Sequence, residues 1–505
     1  MSRPARPCHN PLFHFALPVA LLLLGAVLRA PLPWTTAPFD VDEALYATFA
    51  RQISHENNPY LLGLPVDKPP LAFFVTALSF KLFTDPSEWA ARLPTFYASV
   101  LSLAALWALA WGLYRSRWIA ALAVTVMALA PLDVALAGSV FVDPLLALFV
   151  LLACAASGRR QWGPTMLFTA LAFTVKQSAL QALPLIVTLG LVARRHRQPA
   201  STRLLAIIAA AIAILPFAWD AARQATTGWW ALGLANNAPQ GLVNMEEVIP
   251  RLLTWLDHLS QALGGPIILT VTITGTAMLL RRKPRDHHAA VDLVLILYSL
   301  GWLLVYWLLA FNMYDRYVHP VLPLAAILFA RSADVYGSRL QHSRLRPATA
   351  IVLLIILASL IATPRTSPVL EATRSQHIGI VRTATFLNTL PPGTIVYDRW
   401  IGWLLWWYTG QRRPPDMWLR LTYYPTPVAL VTDALRQPDP QPRYFVAPSW
   451  APVTPWLRAL SNAGFSPQVA IQQDNFTVYR LIPPPAWGTA VPSDISRGPA
   501  MLLRE

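Results

Sequence analysis

The sequence predicts an all-α polytopic membrane protein of about eleven transmembrane helices, followed by a small C-terminal α/β domain outside the bilayer. Three observations carry that expectation. Of 505 residues, 55% are hydrophobic and only 13% charged, where a soluble protein carries about a quarter charged residues. Apolar runs near the length of a bilayer span recur from Phe13 to Ile361. The basic residues sit in the short turns between those runs: Arg115/Arg117, Arg159/Arg160, Arg194/Arg195/Arg197, Arg281/Arg282/Lys283/Arg285 and Arg339/Arg344/Arg346. That distribution marks the cytoplasmic ends of helices.

The net charge of +15 therefore reports topology. It does not point to nucleic acid, because no basic stripe interleaved with aromatics is present. Cys8 and Cys154 fall in the N-terminal tail and inside an apolar run, so no disulfide or structural zinc is expected.

Taken in order, spans are expected at Phe13–Leu28, Thr95–Tyr114, Trp118–Ala137, Pro144–Ala156, Pro164–Val175, Ala179–Ala193, Leu204–Trp219, Gly265–Leu280, Val291–Ala310, Pro320–Ala330 and Ala348–Ile361. The first lacks a small-x-small cleavage site and is read as a retained helix. With the N-terminus inside, every basic turn falls on the cytoplasmic face. Pro70–Phe83 is apolar but short and carries Lys81, and counting it as a crossing would invert that pattern. It is read as an interfacial or re-entrant helix within a first outer loop of residues 29–94, with a later outer loop at 219–264.

Residues 1–362 thus form the transmembrane module, 363–482 an outer α/β domain and 483–505 a Pro-rich, disordered tail. In the domain, helices are expected at Ser375–Leu390, Gly402–Thr409, Val428–Arg436 and Thr454–Ala463. Strands are expected at Thr394–Tyr397, Arg443–Ala447, Gln468–Gln472 and Phe476–Leu481. The run Trp400, Trp403, Trp406 and Trp407 reads as packing the domain onto the membrane interface, with sugar stacking as the alternative. No internal repeat supports a transporter built from two related halves.

This topology places Asp42, Glu43, Asp67, Lys68, Arg92, Asp143, Lys176, Asp220, Asp315 and Arg316 on the outer face, in different loops that can converge. Asp42 and Glu43 lie in a helical pattern, Asp-Glu-Ala-Leu-Tyr-Ala, where neighbouring side chains diverge by about 100°. One can face a substrate while the other binds structure; the alternative is helix capping for both. Lys68 precedes Pro69-Pro70 at a helix start, a place that attracts anions. The alternative is a snorkelling lysine, as it is for Lys176. Asp143, before Pro144, is either a capping residue or a functional carboxylate at the hydrocarbon edge. Arg316 suits bidentate phosphate contact but could simply pair with Asp315, and His319 reads as a helix cap.

These motifs, in order, resemble the GT-C superfamily of polyprenyl-phosphate-dependent glycosyltransferases, in particular the group uniting protein O-mannosyltransferases and lipid A aminoarabinose transferases. The residues that carry the resemblance are Asp42–Ala47, Asp67–Leu71, Ala91–Pro94, Val140–Leu146, Thr174–Gln177 and Asp315–Pro320. The chain departs from the family pattern at Leu45 (often Arg), Asp67 (often Glu) and Gln177 (often Gly).

The resemblance implies a GT-C fold and inverting sugar transfer from a polyprenyl phosphate at the outer face of the cell inner membrane. The acceptor would be a glycolipid, a polysaccharide or a protein. Asp42, Glu43 and Asp143 are the implied catalytic carboxylates. Lys68, Lys176 and Arg316 would bind the donor phosphate, supported by Tyr46, Asp67, Arg92 and Tyr317. No cofactor is required; a divalent cation near Asp42 and Asp67 is a family option that the sequence does not demand. A flippase for lipid-linked sugars and a non-catalytic assembly protein are the rival readings.

Overall fold

A computed structural model describes residues 11–193, 201–281, 287–340, 367–410, 418–436 and 441–484. The expected span Ala348–Ile361, several of the basic turns and nearly all of the expected tail lie outside the described residues.

The chain is a helical bundle carrying one small sheet. Its helices are α1 (Pro11–Arg29), α2 (Val41–His55), α3 (Leu71–Phe83), α4 (Glu88–Tyr114), α5 (Arg117–Leu129), α6 (Pro131–Ala137), α7 (Asp143–Ser157) and α8 (Trp162–Val175). There follow α9 (Leu183–Val192), α10 (Thr202–Arg223), α11 (Trp229–Asn237), α12 (Val248–Leu263), α13 (Pro266–Leu280), α14 (His287–Leu308) and α15 (Leu322–Leu340). Among the described residues five helices are long and apolar enough to cross a membrane, or seven if two bent pairs each count as one span. Four further apolar helices of 10–17 residues accompany them.

The expected span Trp118–Ala137 is one bent pair. Pro131 cannot continue the hydrogen-bond ladder of α5, and α6 leaves it at 61°. At the other break, Gly264 and Gly265 take φ of +97° and +121°, and α12 and α13 meet at 106°. α3 is only 13 residues long, short for a crossing.

α4 is the central post, packed on α7, α5, α3 and α1. Alanines line the contact faces, among them Ala98, Ala105, Ala120, Ala123 and Ala153, all buried. Small residues let apolar helices approach closely where no solvent drives them together.

The C-terminal domain has a five-stranded sheet of β1 (Ile395–Asp398), β2 (Arg420–Tyr423), β3 (Arg443–Pro448), β4 (Ser466–Gln473) and β5 (Phe476–Ile482), in the order β2-β1-β3-β5-β4. β1 pairs in parallel with β2 and β3, and β5 runs antiparallel to β3 and β4. β2 was not expected. Four residues on a sheet edge, none fully buried, leave little alternation to read.

The tryptophan run corrects an expectation. Trp403, Trp406 and Trp407 are buried against protein rather than lying at a lipid interface. Trp403 meets Phe49 edge-on at 5.4 Å, and Trp407 stacks near Phe80 at 6.1 Å. Arg51 of α2 donates to the carbonyls of Trp406 and Trp407. Only Trp400 stands open, 42% exposed.

Candidate active site

The site begins with a helix cap. Asp40 accepts a hydrogen bond from the Asp42 amide (2.9 Å), and Glu43 reaches back to accept one from the Asp40 amide (2.8 Å). This reciprocal capping box fixes the first turn of α2 and with it the direction of Asp42. Asp40 was not singled out from the sequence, although the Asp-x-x-Glu spacing is visible there.

Glu43, expected among the catalytic carboxylates, is fully committed. Its Oε1 accepts from the Val140 amide (3.0 Å) and Arg374 Nη2 (2.8 Å), and its Oε2 from the Asp40 amide and Arg374 Nε (3.1 Å). With no exposed surface it offers a substrate nothing.

Asp42 differs. Its Oδ2 accepts one bond, 2.8 Å from Arg316, and its side chain stays 38% exposed. Two more ion pairs stand with it: Asp143–Lys176 at 2.8 Å and Asp67–Lys68 at 2.7 Å. Lys68 also sits 5.2 Å over the ring of Tyr46, one helical turn after Asp42. Four segments remote in sequence thus meet: α2, the 67–70 turn, the start of α7 with residue 176, and the 3₁₀ turn Asp315–Val321.

The electrostatics confirm that the groups share one field. Burial alone raises the Asp42 carboxyl, but Arg316, Lys68 and Lys176 outweigh it and hold it below the usual carboxylate range. Burial likewise works against the Lys68 ammonium, and Tyr46, Asp67 and Asp42 reverse that, raising it above an ordinary lysine. Asp40 moves the other way. Burial and the neighbouring charges of Asp42 and Glu43 push it up to about 7.

The remaining expected residues frame this cluster. Arg92 donates to the carbonyls of Thr35 (2.9 Å) and Ala37 (2.8 Å) and stacks over Phe39, shaping the approach to α2. Tyr317 packs its ring against Tyr306 and Tyr314, each at 5.5 Å. Gln177, one of the departures from the family pattern, donates to the Asp67 carbonyl (3.1 Å) and so buttresses the Lys68 turn. Gly233 makes room for that contact: a Cβ there would stand 2.4 Å from Gln177 Nε2 and 2.5 Å from the Asp67 carbonyl oxygen.

His319 is more than the expected cap. Its Nε2 lies 2.8 Å from Asp133, which also takes Arg29 (2.6 Å) and Ser99 (2.8 Å), all buried. This closed network pins the 315–321 turn to α1, α4 and α6. Beside Asp143 and His319 a small cavity of about 30 Å³ lies along α7 among Leu146, Val150 and Cys154, facing Trp302 and Leu324.

Among the described residues no three His, Cys, Asp or Glu side chains gather as metal ligands. Asp42 faces Arg316 and Asp67 faces Lys68.

The likeness to known proteins lies in the fold and in one segment of the chain. Residues 67–219 match the family described as dolichyl-phosphate-mannose-protein mannosyltransferase. Among solved structures the chain is similar to ArnT from Cupriavidus metallidurans bound to undecaprenyl phosphate, with a TM-score of 0.62 and 14% identity over 93% of this chain and 98% of that one. The apo form of the same protein gives a TM-score of 0.61 at 14% identity and the same coverage. An Archaeoglobus fulgidus oligosaccharyltransferase tethered with an acceptor peptide aligns at a TM-score of 0.52 and 11% identity, over 88% of this chain and 70% of that one. No curated protein matches in direct sequence comparison.

Proposed function

We propose that this protein is a membrane glycosyltransferase that moves a sugar from a polyprenyl phosphate to an acceptor nucleophile at the outer face of the cell inner membrane, with inversion. The observation that carries the reading is the convergence of three carboxylate–cation pairs, Asp42–Arg316, Asp143–Lys176 and Asp67–Lys68. A lipid-linked phosphate suits the three cations gathered there. Binding to ArnT, noted for that protein's structure, supports undecaprenyl phosphate as the carrier.

In this reading the acceptor O–H or N–H gives its proton to Asp42 as its heteroatom attacks the anomeric carbon. The bond from that carbon to the phosphate oxygen breaks, and the departing phosphate gains one negative charge. Lys68 and Arg316 stabilise that charge as it develops. Because Arg316 is also the partner of Asp42, its move toward phosphate frees the carboxylate to act as base. Asp143 holds Lys176 toward the same phosphate, and Glu43 positions without reacting.

The test is mass spectrometry of envelope glycolipids and glycoproteins from a deletion strain complemented with wild type or Asp42→Asn. A hexose or pentose modification lost on deletion and restored only by wild type is the expected result. Full restoration by Asp42→Asn would sink the reading and favour a flippase or an assembly role.

A further inference from the structure

One short helix of the C-terminal domain, Pro368–Gln376, with its capping residue Ser367, holds the chain neighbours of the Asp42–Arg316 pair, Glu43 and Asp315. Arg374 grips Glu43 with two hydrogen bonds and sends a third from Nη2 to the Gly138 carbonyl (2.9 Å). Glu43 in turn caps α2 at Asp40 and accepts the Val140 amide just ahead of α7. One guanidinium therefore sets the first turn of α2, which carries Asp42, against the turn that delivers Asp143. At the start of the same helix the capping residue Ser367 donates to Asp315, whose other oxygen accepts the Arg316 amide (2.7 Å). That contact sets the backbone from which Arg316 projects.

These are not generic docking contacts. Elsewhere the interface is mainly aromatic, through Trp403, Trp407 and Tyr408 against α2, α3 and Phe39, with Arg51 on the carbonyls of Trp406 and Trp407 and Tyr408 donating to Glu88. Charged side chains bridge it where the Asp42 helix and the Arg316 turn begin, and there every Glu43 oxygen is used. Displacement of a reacting group by about 1 Å costs about a hundredfold in rate, so the latch has leverage that a contact elsewhere lacks.

We propose that Arg374 is a positioning residue of the transfer site, and that the C-terminal domain completes this site rather than adjoining it. The inference rests on the glycosyl-transfer reading above. On its far side Arg374 borders a cavity of about 580 Å³, walled by Leu32, Thr36, Glu371, His377 and Val381. A small cation in solution can therefore reach the space that a truncated Arg374 would leave.

The experiment uses the full chain in lipid nanodiscs, with wild type, Asp42→Asn, Arg374→Ala, Arg374→Lys, Glu43→Gln and the Glu43→Gln/Arg374→Ala double variant. Transfer is followed by the product identified in the complementation experiment, and undecaprenyl phosphate serves as the binding probe. For Arg374→Ala the expected result is a loss of about a hundredfold in kcat, with the affinity for undecaprenyl phosphate kept within about threefold. Millimolar methylguanidinium restores a substantial part of the loss, and Arg374→Lys retains part of it. The double variant is no worse than the worse single one, as expected for two residues acting as a unit. Methylguanidinium does nothing for Glu43→Gln.

Wild-type turnover by Arg374→Ala, alongside an inactive Asp42→Asn, overturns the latch and leaves the transfer reading standing. Parallel loss of probe binding and thermal stability in Arg374→Ala, with no response to methylguanidinium and none of the retained activity in Arg374→Lys, overturns it too and makes the residue merely structural. A fully active Asp42→Asn removes the transfer reading itself.

Discussion

Two aspartates of the bundle, Asp133 in α6 and Asp42 in α2, face opposite fates. Asp133 holds Arg29, Ser99 and His319 with its side chain 1% exposed. Asp42 holds only Arg316 and keeps 38% exposure. Both are carboxylates in an apolar bundle, and both are paired with arginine. What separates them is saturation. A buried carboxylate with both oxygens engaged is a joint, whereas one with an oxygen open at a surface is available to a substrate. Glu43 and Asp42 repeat the contrast between neighbours in the chain.

The contrast breaks first, and hardest, on isosteric amides. Asp42→Asn is expected to lower transfer by about 10²–10⁴-fold, the usual contribution of a positioned base, while thermal unfolding in detergent stays close to wild type. Asp133→Asn should reverse the pattern. It leaves Arg29 buried without a counter-charge, a loss of about 3–5 kcal/mol of stability, and any drop in transfer should follow the loss of folded protein. A stable Asp133→Asn with no transfer would place Asp133 in the chemistry and erase the distinction.

Lys68→Met sharpens the same comparison among the cations. Lys68 spends one bond on Asp67 and lies beside Asp42, so its remaining donors can serve a phosphate. Its removal should lower kcat by about 10²–10³-fold, as loss of a preorganised donor does, and weaken undecaprenyl phosphate binding measured directly. Unchanged affinity for undecaprenyl phosphate would assign Lys68 to the Asp67 pair alone.

Much of this was legible in the sequence, for identifiable reasons. Hydropathy and basic turns report on burial in lipid, a one-dimensional property, so the helical bundle could be read directly. The strands at β1, β3, β4 and β5 carry β-branched and aromatic residues between turn signals; β2, four residues on a sheet edge, is too short for its alternation to be read. The site cations and carboxylates could be named because charge on an apolar chain needs a reason. Partner choice was a different matter. Nothing local in Arg374-Ser375-Gln376 tells that the guanidinium returns to Glu43, 331 residues earlier. Asp133, next to Pro131 in an apolar run, likewise meets Arg29 and His319 only in three dimensions. The tryptophan run was read for composition, and its buried side was set by the aromatic face of α2 and α3.

The smallest expected effect concerns the cap itself. Asp40 is raised to about 7 from 3.8 by burial and by the charges of Asp42 and Glu43. A carboxyl raised on folding binds its proton more tightly in the native state. Its stabilising influence is therefore present at low pH and is lost as pH climbs from about 4 toward 7. Asp42 and Glu43 are shifted the other way, so their contributions are lost only as pH falls below the ordinary carboxylate range, outside this window. Asp398 is also raised to about 7 and His377 titrates nearby, so wild type and variant must be compared over the same pH series. Asparagine caps a helix as well as aspartate does, and Asp40→Asn keeps the acceptor for the Asp42 amide while removing the buried charge. The variant should gain about 1–3 °C in Tm over wild type at pH 8, with the gain shrinking toward zero at pH 5. A constant difference across that series would mean that Asp40 takes up no proton between pH 8 and pH 5.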